Sequence, residues 1–174
     1  MFRTFIIMAQ QILRSEVPEN LTWDLTTIFE SDDAFEAAFK SVQSAAKQLS
    51  QYIGHVGESA TALLAALEAD LAAEREFEKV YVYAHQIFDQ DTTNPKYAAY
   101  NAQVQSLYAE LSAATSFFQP EVLAIPDETL AKYLATDKLT KYQHFFDVLL
   151  AQKPHTLPAD QEALLAGASD IFGA

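Results

Sequence analysis

The spacing of apolar residues between Tyr97 and Phe118 constrains this chain more than any other feature. Tyr97, Tyr100, Val104, Leu107, Leu111, Ala114 and Phe118 recur at intervals of 3, 4, 3, 4, 3 and 4. Only an α-helix brings residues so spaced onto one face. Asn94-Pro95 supplies a cap and a first helical residue whose missing N–H costs nothing. A second stripe, Leu63, Leu67, Leu71, Phe77, Val80, Ala84 and Ile87, predicts a longer helix from about Ser59 to Phe88. Glu74, Glu76, Glu78 and Lys79 fall mostly on its solvated side. The break between the two helices, "DQDTTNPKY", is short. The pair should therefore form an antiparallel hairpin over about 59–118.

The flanking segments follow the same logic. Ser31 reads as an N-cap, with Asp32 and Asp33 in the first turn, where the helix dipole favours them. Phe35, Phe39, Val42, Ala46, Leu49 and Ile53 make one buried stripe behind it, ended by Gly54 and Gly57. Ahead of it, Trp23, Leu25, Ile28 and Phe29 read as an anchor packed into the core, with Asp24 or Thr22 capping a short turn. After Phe118 the elements shorten. One helix opens at Pro126 and runs to about Ala135, another spans about Lys138 to Gln152, and a last one starts at Pro158. Half of the 174 residues are hydrophobic and only four are Gly. The expected fold is all-α, a globular antiparallel bundle built on the long hairpin. The varied and interrupted stripes argue against a coiled coil. The length suits one domain or one compact part of a larger protein.

Charge and composition exclude several functions. Twenty-four acidic against eleven basic residues leave a formal charge of -13. Such a surface repels phosphate backbones, and the basic residues are scattered singly, so no nucleic-acid partner is expected. The absence of cysteine removes disulfides, thiolate nucleophiles and Cys-ligated metals. The apolar run Phe5 to Met8 is shorter than the roughly 7–15 residues of a secretory h-region and the about 20 of a membrane span. Residues 1–13 are read as an N-terminal arm and residues 14–174 as one helical lobe. The expected location is cytoplasmic, with no membrane contact.

No catalytic motif emerges. The residues three before His55, His85, His144 and His155 are Tyr52, Val82, Lys141 and Gln152, so the Glu-x-x-His pattern of di-metal bundles is absent. His-Glu-x-x-His is absent as well, as are Gly-x-Ser-x-Gly and a phosphate-binding glycine loop. His85 and Asp89 stand i, i+4 on one predicted helix; they read as a hydrogen-bonded pair near its end rather than a reactive dyad. His155, between Pro154 and Pro158, reads as a brace for that connection. No catalytic, cofactor-binding or metal residue is assigned to any position.

Four stretches in order carry a resemblance: "RSEVPENLTWDLTTIFES" (14–31), "VYVYAHQIFDQDTTNPKY" (80–97), "SFFQPEVLAIPDETLAKYL" (116–134) and "LTKYQHFFDVLLAQKPHTLPADQEALLA" (139–166). The Trp23-Asp24-Leu25 run, Tyr83-Ala84 before Asp89-Gln90-Asp91, Pro120-Glu121, and His155-Thr156-Leu157 before a Glu-bearing helix together resemble the N-terminal region of oligoendopeptidase F, of the thimet-type zinc oligopeptidases. The resemblance implies a largely helical peptidase of about six hundred residues, larger than one ordinary domain. It cleaves short peptides in a deep channel, with zinc held by His-Glu-x-x-His and a downstream Glu. None of those ligands is in this sequence, so the chain alone is expected to lack zinc and activity. It is expected to be an N-terminal piece, cut before the catalytic domain that would be its partner, with short peptides the substrate of the whole. Its part would be to wall the channel, and its exposed surface should self-associate at high concentration. The competing reading is a stand-alone helical interaction module. A small-ligand bundle finds little support in the stripes.

Overall fold

In the computed structural model, residues 16–155 are described. The arm expected at residues 1–13 and the helix expected from Pro158 lie outside them. Every described regular element is helical: α1 (Asp32–Leu49), α2 (Ala60–Gln90), α3 (Pro95–Thr115), α4 (Phe118–Ala124), α5 (Asp127–Leu134), α6 (Asp137–Thr140) and α7 (Gln143–Gln152), with short 3-10 turns between some of them. They divide into two compact units. The first runs up to Gln48 and resumes over Leu71–Ala113; the second takes Leu49–Asp70 and resumes at Ala114.

The first unit packs α1 and α3 against the later part of α2. Ser31 accepts the Ala34 N–H at 3.2 Å, as its N-cap reading requires. Asn94 accepts the Lys96 N–H at 3.0 Å and starts α3 at Pro95. The two helices of the hairpin run antiparallel, since Phe77 meets Tyr108 while His85 meets Gln105. Phe35 lies at the centre of the core, its ring 4.4 Å from that of Tyr100 and 5.2 Å from that of Tyr83. Phe29 packs edge-on against both Phe35 and Tyr83. Val42, Val80, Ala84, Val104 and Leu107 complete this core.

Trp23 is not the anchor its composition suggests: it is 72% exposed. Asp24 caps a 3-10 turn at Leu25–Thr27 through the Thr26 N–H, at 3.0 Å. Residues three apart share a face in such a turn, which sends Leu25 and Ile28 inward and leaves Trp23, ahead of the cap, off that face. The α1 stripe also stops early. Leu49 is buried, but the chain then tightens into a 3-10 turn over Ser50–Tyr52 and leaves it extended at Ile53, which is 53% exposed.

The second unit gathers the first part of α2 with α4 to α7. Its buried residues include Val56, Leu63, Leu67, Val122, Leu130, Leu139 and Phe146. Phe118 ends the apolar stripe but not α3, and it begins a separate helix, α4. Pro120 explains the division. It has no N–H for the carbonyl four residues back, whereas in a first turn that N–H would go unused. The helix expected over 138–152 is also two pieces. Tyr142 leaves helical geometry at φ -101 and ψ 9. There the Lys141 ammonium and the Tyr142 hydroxyl both reach Glu68 Oε1, at 3.0 and 3.2 Å.

Candidate functional site

Among the described residues, three polar assemblies and a furrow are places where chemistry could reside. In the first unit Asp32 and Glu36 extend from the first turns of α1. Asp32 accepts from Lys96 Nζ at 2.6 Å and from the Tyr83 hydroxyl at 3.4 Å, and Glu36 accepts from the Tyr100 hydroxyl at 2.8 Å. The hydrogen bond that Lys96 donates to Asp32 holds the Lys96 pKa above its ordinary value. Burial, then the bond to Glu36, pushes the Tyr100 phenol up to about 12. Burial and Asp32 raise Tyr83 in the same sense. A lysine and two phenols so shifted keep their protons at neutral pH, so none serves as a base there. The assembly fastens α1 to α2 and α3. Beside it Phe39, Lys40, Gln103 and Glu110 line a shallow furrow of about 510 Å3.

The second assembly surrounds His85. Its Nδ1 lies 3.2 Å from the Tyr81 carbonyl oxygen, one turn back, and its Nε2 lies 3.2 Å from the Gln105 amide nitrogen. The neutral tautomer with hydrogen on Nδ1 satisfies both, donating to the carbonyl and accepting from the amide. The ring also packs on Tyr81 at 4.0 Å. The pairing with Asp89 expected from the sequence is therefore replaced: a carbonyl on its own helix and an amide from α3 take both ring nitrogens.

The third assembly is a carboxylate clamp in the second unit. Glu121 of α4 accepts the Gly54 N–H at 2.7 Å on one oxygen and the Val56 N–H at 3.3 Å on the other. Gly54 supplies the left-handed turn, φ 81, that aims the two amides together. Tyr133 donates to the Gly57 carbonyl at 3.1 Å, and His55 pairs with Glu58 at 2.7 Å. Sequence reading noted Pro120-Glu121 only as part of a resemblance. The clamp spans 67 residues, and no local spacing reveals it.

The four histidines stand apart. His55 and His85 have the partners just described, and His144 and His155 are exposed on α7 and the 3-10 turn after it. Among the described residues no group of three or more His, Cys, Asp or Glu could hold a metal ion. The zinc that the resemblance implies finds no fitting ligand set among them. No described helix is long and apolar enough to cross a membrane.

Fold and side chains together define an all-helical module whose polar clusters tie helices to one another. Its relations are specific. Residues 121–174 match the family model described as Oligopeptidase F. The chain is 41% identical over 162 residues to Group B oligopeptidase PepB of Streptococcus agalactiae, covering 92% of this chain and 27% of that protein. It is 36% identical over 161 residues to Oligopeptidase PepF of Bacillus subtilis, covering 92% of this chain and 24% of that one. The crystal structure of oligoendopeptidase-F from Enterococcus faecium superposes with a TM-score of 0.68 at 37% identity, over 82% of this chain and 28% of that one. A putative peptidase from Chlamydophila abortus gives 0.75 at 25% identity, over 91% and 27%. Over nearly its whole length the chain is thus similar to one part of proteins named oligoendopeptidase F or oligopeptidase. It spans 24–27% of the length of the curated relatives it matches.

Proposed function

We propose that this chain is the non-catalytic N-terminal lobe of a cytoplasmic zinc oligoendopeptidase that hydrolyses short peptides, and that it walls the substrate channel. The observation that carries this reading is the extent of the match. Some 92% of the chain aligns at 41% identity with a protein named an oligopeptidase, yet takes up only 27% of it. In this reading the zinc, its ligands and the general base belong to the remainder of the longer protein. The polar groups described above serve shape instead. The Asp32–Lys96 and Glu121–Gly54 bonds hold helices and a loop in fixed positions, and a rigid wall excludes folded proteins by size.

The test is a chimera in which this chain replaces the matching region of the Streptococcus agalactiae relative. It should cut short peptides and spare long ones. The same relative with that region deleted should lose the length discrimination. A deletion protein that stays folded and keeps its length preference overturns the proposal. The chain alone should cleave nothing, with or without added zinc.

A further inference from the structure

The furrow between α1 and α3 in the first unit holds about 510 Å3, inside the range of about 300–1,000 Å3 usual for small-ligand sites. The Asp32–Lys96 and Glu36–Tyr100 bonds each join residues 64 apart, so the two helices run parallel and in register. Phe35 and Leu107, each 1% exposed, give the furrow an apolar floor, with Phe39 beside them. Lys40, Gln43, Gln103 and Glu110 also line it. The fold does not use these four polar groups. Among the described residues Lys40 and Glu110 form no ion pair and the two carboxamides no hydrogen bond, whereas Lys79, Lys96, Lys141 and Lys153 each hold a carboxylate.

The signs and the spacing narrow what fits. Lys40 opposes a polyamine, and Glu36 and Glu110 oppose a simple anion. In this register Lys40 stands level with Val104, so about 9 Å of helix axis separate it from Glu110. An extended peptide advances about 3.3–3.6 Å per residue, so three residues set its two charged ends that far apart. A glutamine carboxamide offers both a donor and an acceptor, the complement of a peptide group. We propose that the furrow binds short zwitterionic peptides of about three residues, with the amino terminus on Glu110, the carboxylate on Lys40 and the peptide groups on Gln43 and Gln103. Phe39 packs against a side chain of the peptide. Recognition is of the ends and the backbone, so it selects free termini rather than a particular sequence. The inference rests on the furrow's own chemistry and not on the peptidase reading. A furrow that binds nothing leaves the length test of the chimera standing, and the reverse holds too.

The full 174-residue chain is titrated with trialanine, with its N-acetyl form and with its C-terminal amide by isothermal titration calorimetry. Blocking either end should weaken binding on the order of tenfold, as the loss of a charge-assisted hydrogen bond does. Glu110→Gln should abolish the difference between trialanine and its N-acetyl form while keeping the difference from the amide. Lys40→Gln should do the reverse. Glu128→Gln, at an exposed position of α5, should change neither. Lys40 and Glu110 are exposed, and far-UV circular dichroism checks that both variants keep the fold. Should either misfold, NMR of the unaltered chain replaces it, with trialanine expected to shift the side-chain amide signals of Gln43 and Gln103. Unmoved amide signals, or no saturable binding by about 10 mM trialanine, overturn the proposal. So does free alanine that binds as tightly, because its two charges lie too close to reach both residues. End effects that persist in both variants place the peptide elsewhere and overturn it too.

Discussion

Glu121 shows how one side chain can decide the course of a loop. Its two oxygens take the amides of Gly54 and Val56, which otherwise need water or another acceptor. A hydrogen bond to a charged group contributes more than a neutral one, so Glu121→Ala should destabilise the chain by about 1–3 kcal/mol. Glu121→Gln keeps one acceptor and should lose less; urea unfolding of both variants measures the order. His55 gives a prediction with a sign. Its hydrogen bond to Glu58 raises its pKa above 6.5 in the folded chain. The folded state then binds the proton more tightly than the unfolded one. The resulting stability is fully present below the unfolded pKa and is lost as pH rises through the folded one. His55→Ala should therefore lower the urea midpoint more at about pH 5.5 than at about pH 8.5. Glu68 behaves in reverse. Lys141 lowers its pKa, so its contribution exists above the unfolded value and fades in acid.

At the scale of elements, much of the helix pattern was legible. The long hairpin follows from period alone, because α2 and α3 carry buried stripes with capping residues at their starts. The corrections fall at short turns and breaks. What reads as one helix parts at Lys141–Tyr142, where the Lys141 ammonium and the Tyr142 hydroxyl both reach Glu68. Trp23 reads as core because tryptophan usually is, yet the turn capped by Asp24 turns Leu25 and Ile28 inward instead. Of the candidate site, almost nothing was legible. The Asp32–Lys96 and Glu121–Gly54 contacts bridge 64 and 67 residues, and a single sequence carries no signal for such pairs. Two substitutions separate the readings of the aromatic residues. Phe35→Ala removes a ring 1% exposed and should cost about 3–5 kcal/mol. Trp23→Ala should stay within about 0.5 kcal/mol. Chemical denaturation followed by circular dichroism compares them without relying on the lost fluorophore.

The whole chain carries a formal charge of -13, and the Lys–carboxylate pairs among its described residues lie on the surface, where each contributes little. Self-repulsion among the excess carboxylates then outweighs the pairs that salt would weaken. Raising sodium chloride from about 0.02 to about 0.5 M should therefore raise the thermal midpoint, a shift that scanning calorimetry would register. A falling midpoint would mean that the pairs matter more than the net charge.

The two units are interleaved along the chain, each assembled from two separate stretches. On the ribosome this sets an order of events. Phe35 emerges early but must wait for Tyr83 and Tyr100, the rings it packs against. The first core therefore closes only after α3 has left the exit tunnel. Meanwhile Leu63 and Leu67 are already synthesised and wait for partners that come after residue 114. The nascent chain thus holds apolar surface open for most of its synthesis, a window in which a chaperone would find it. No single proteolytic cut releases either unit whole.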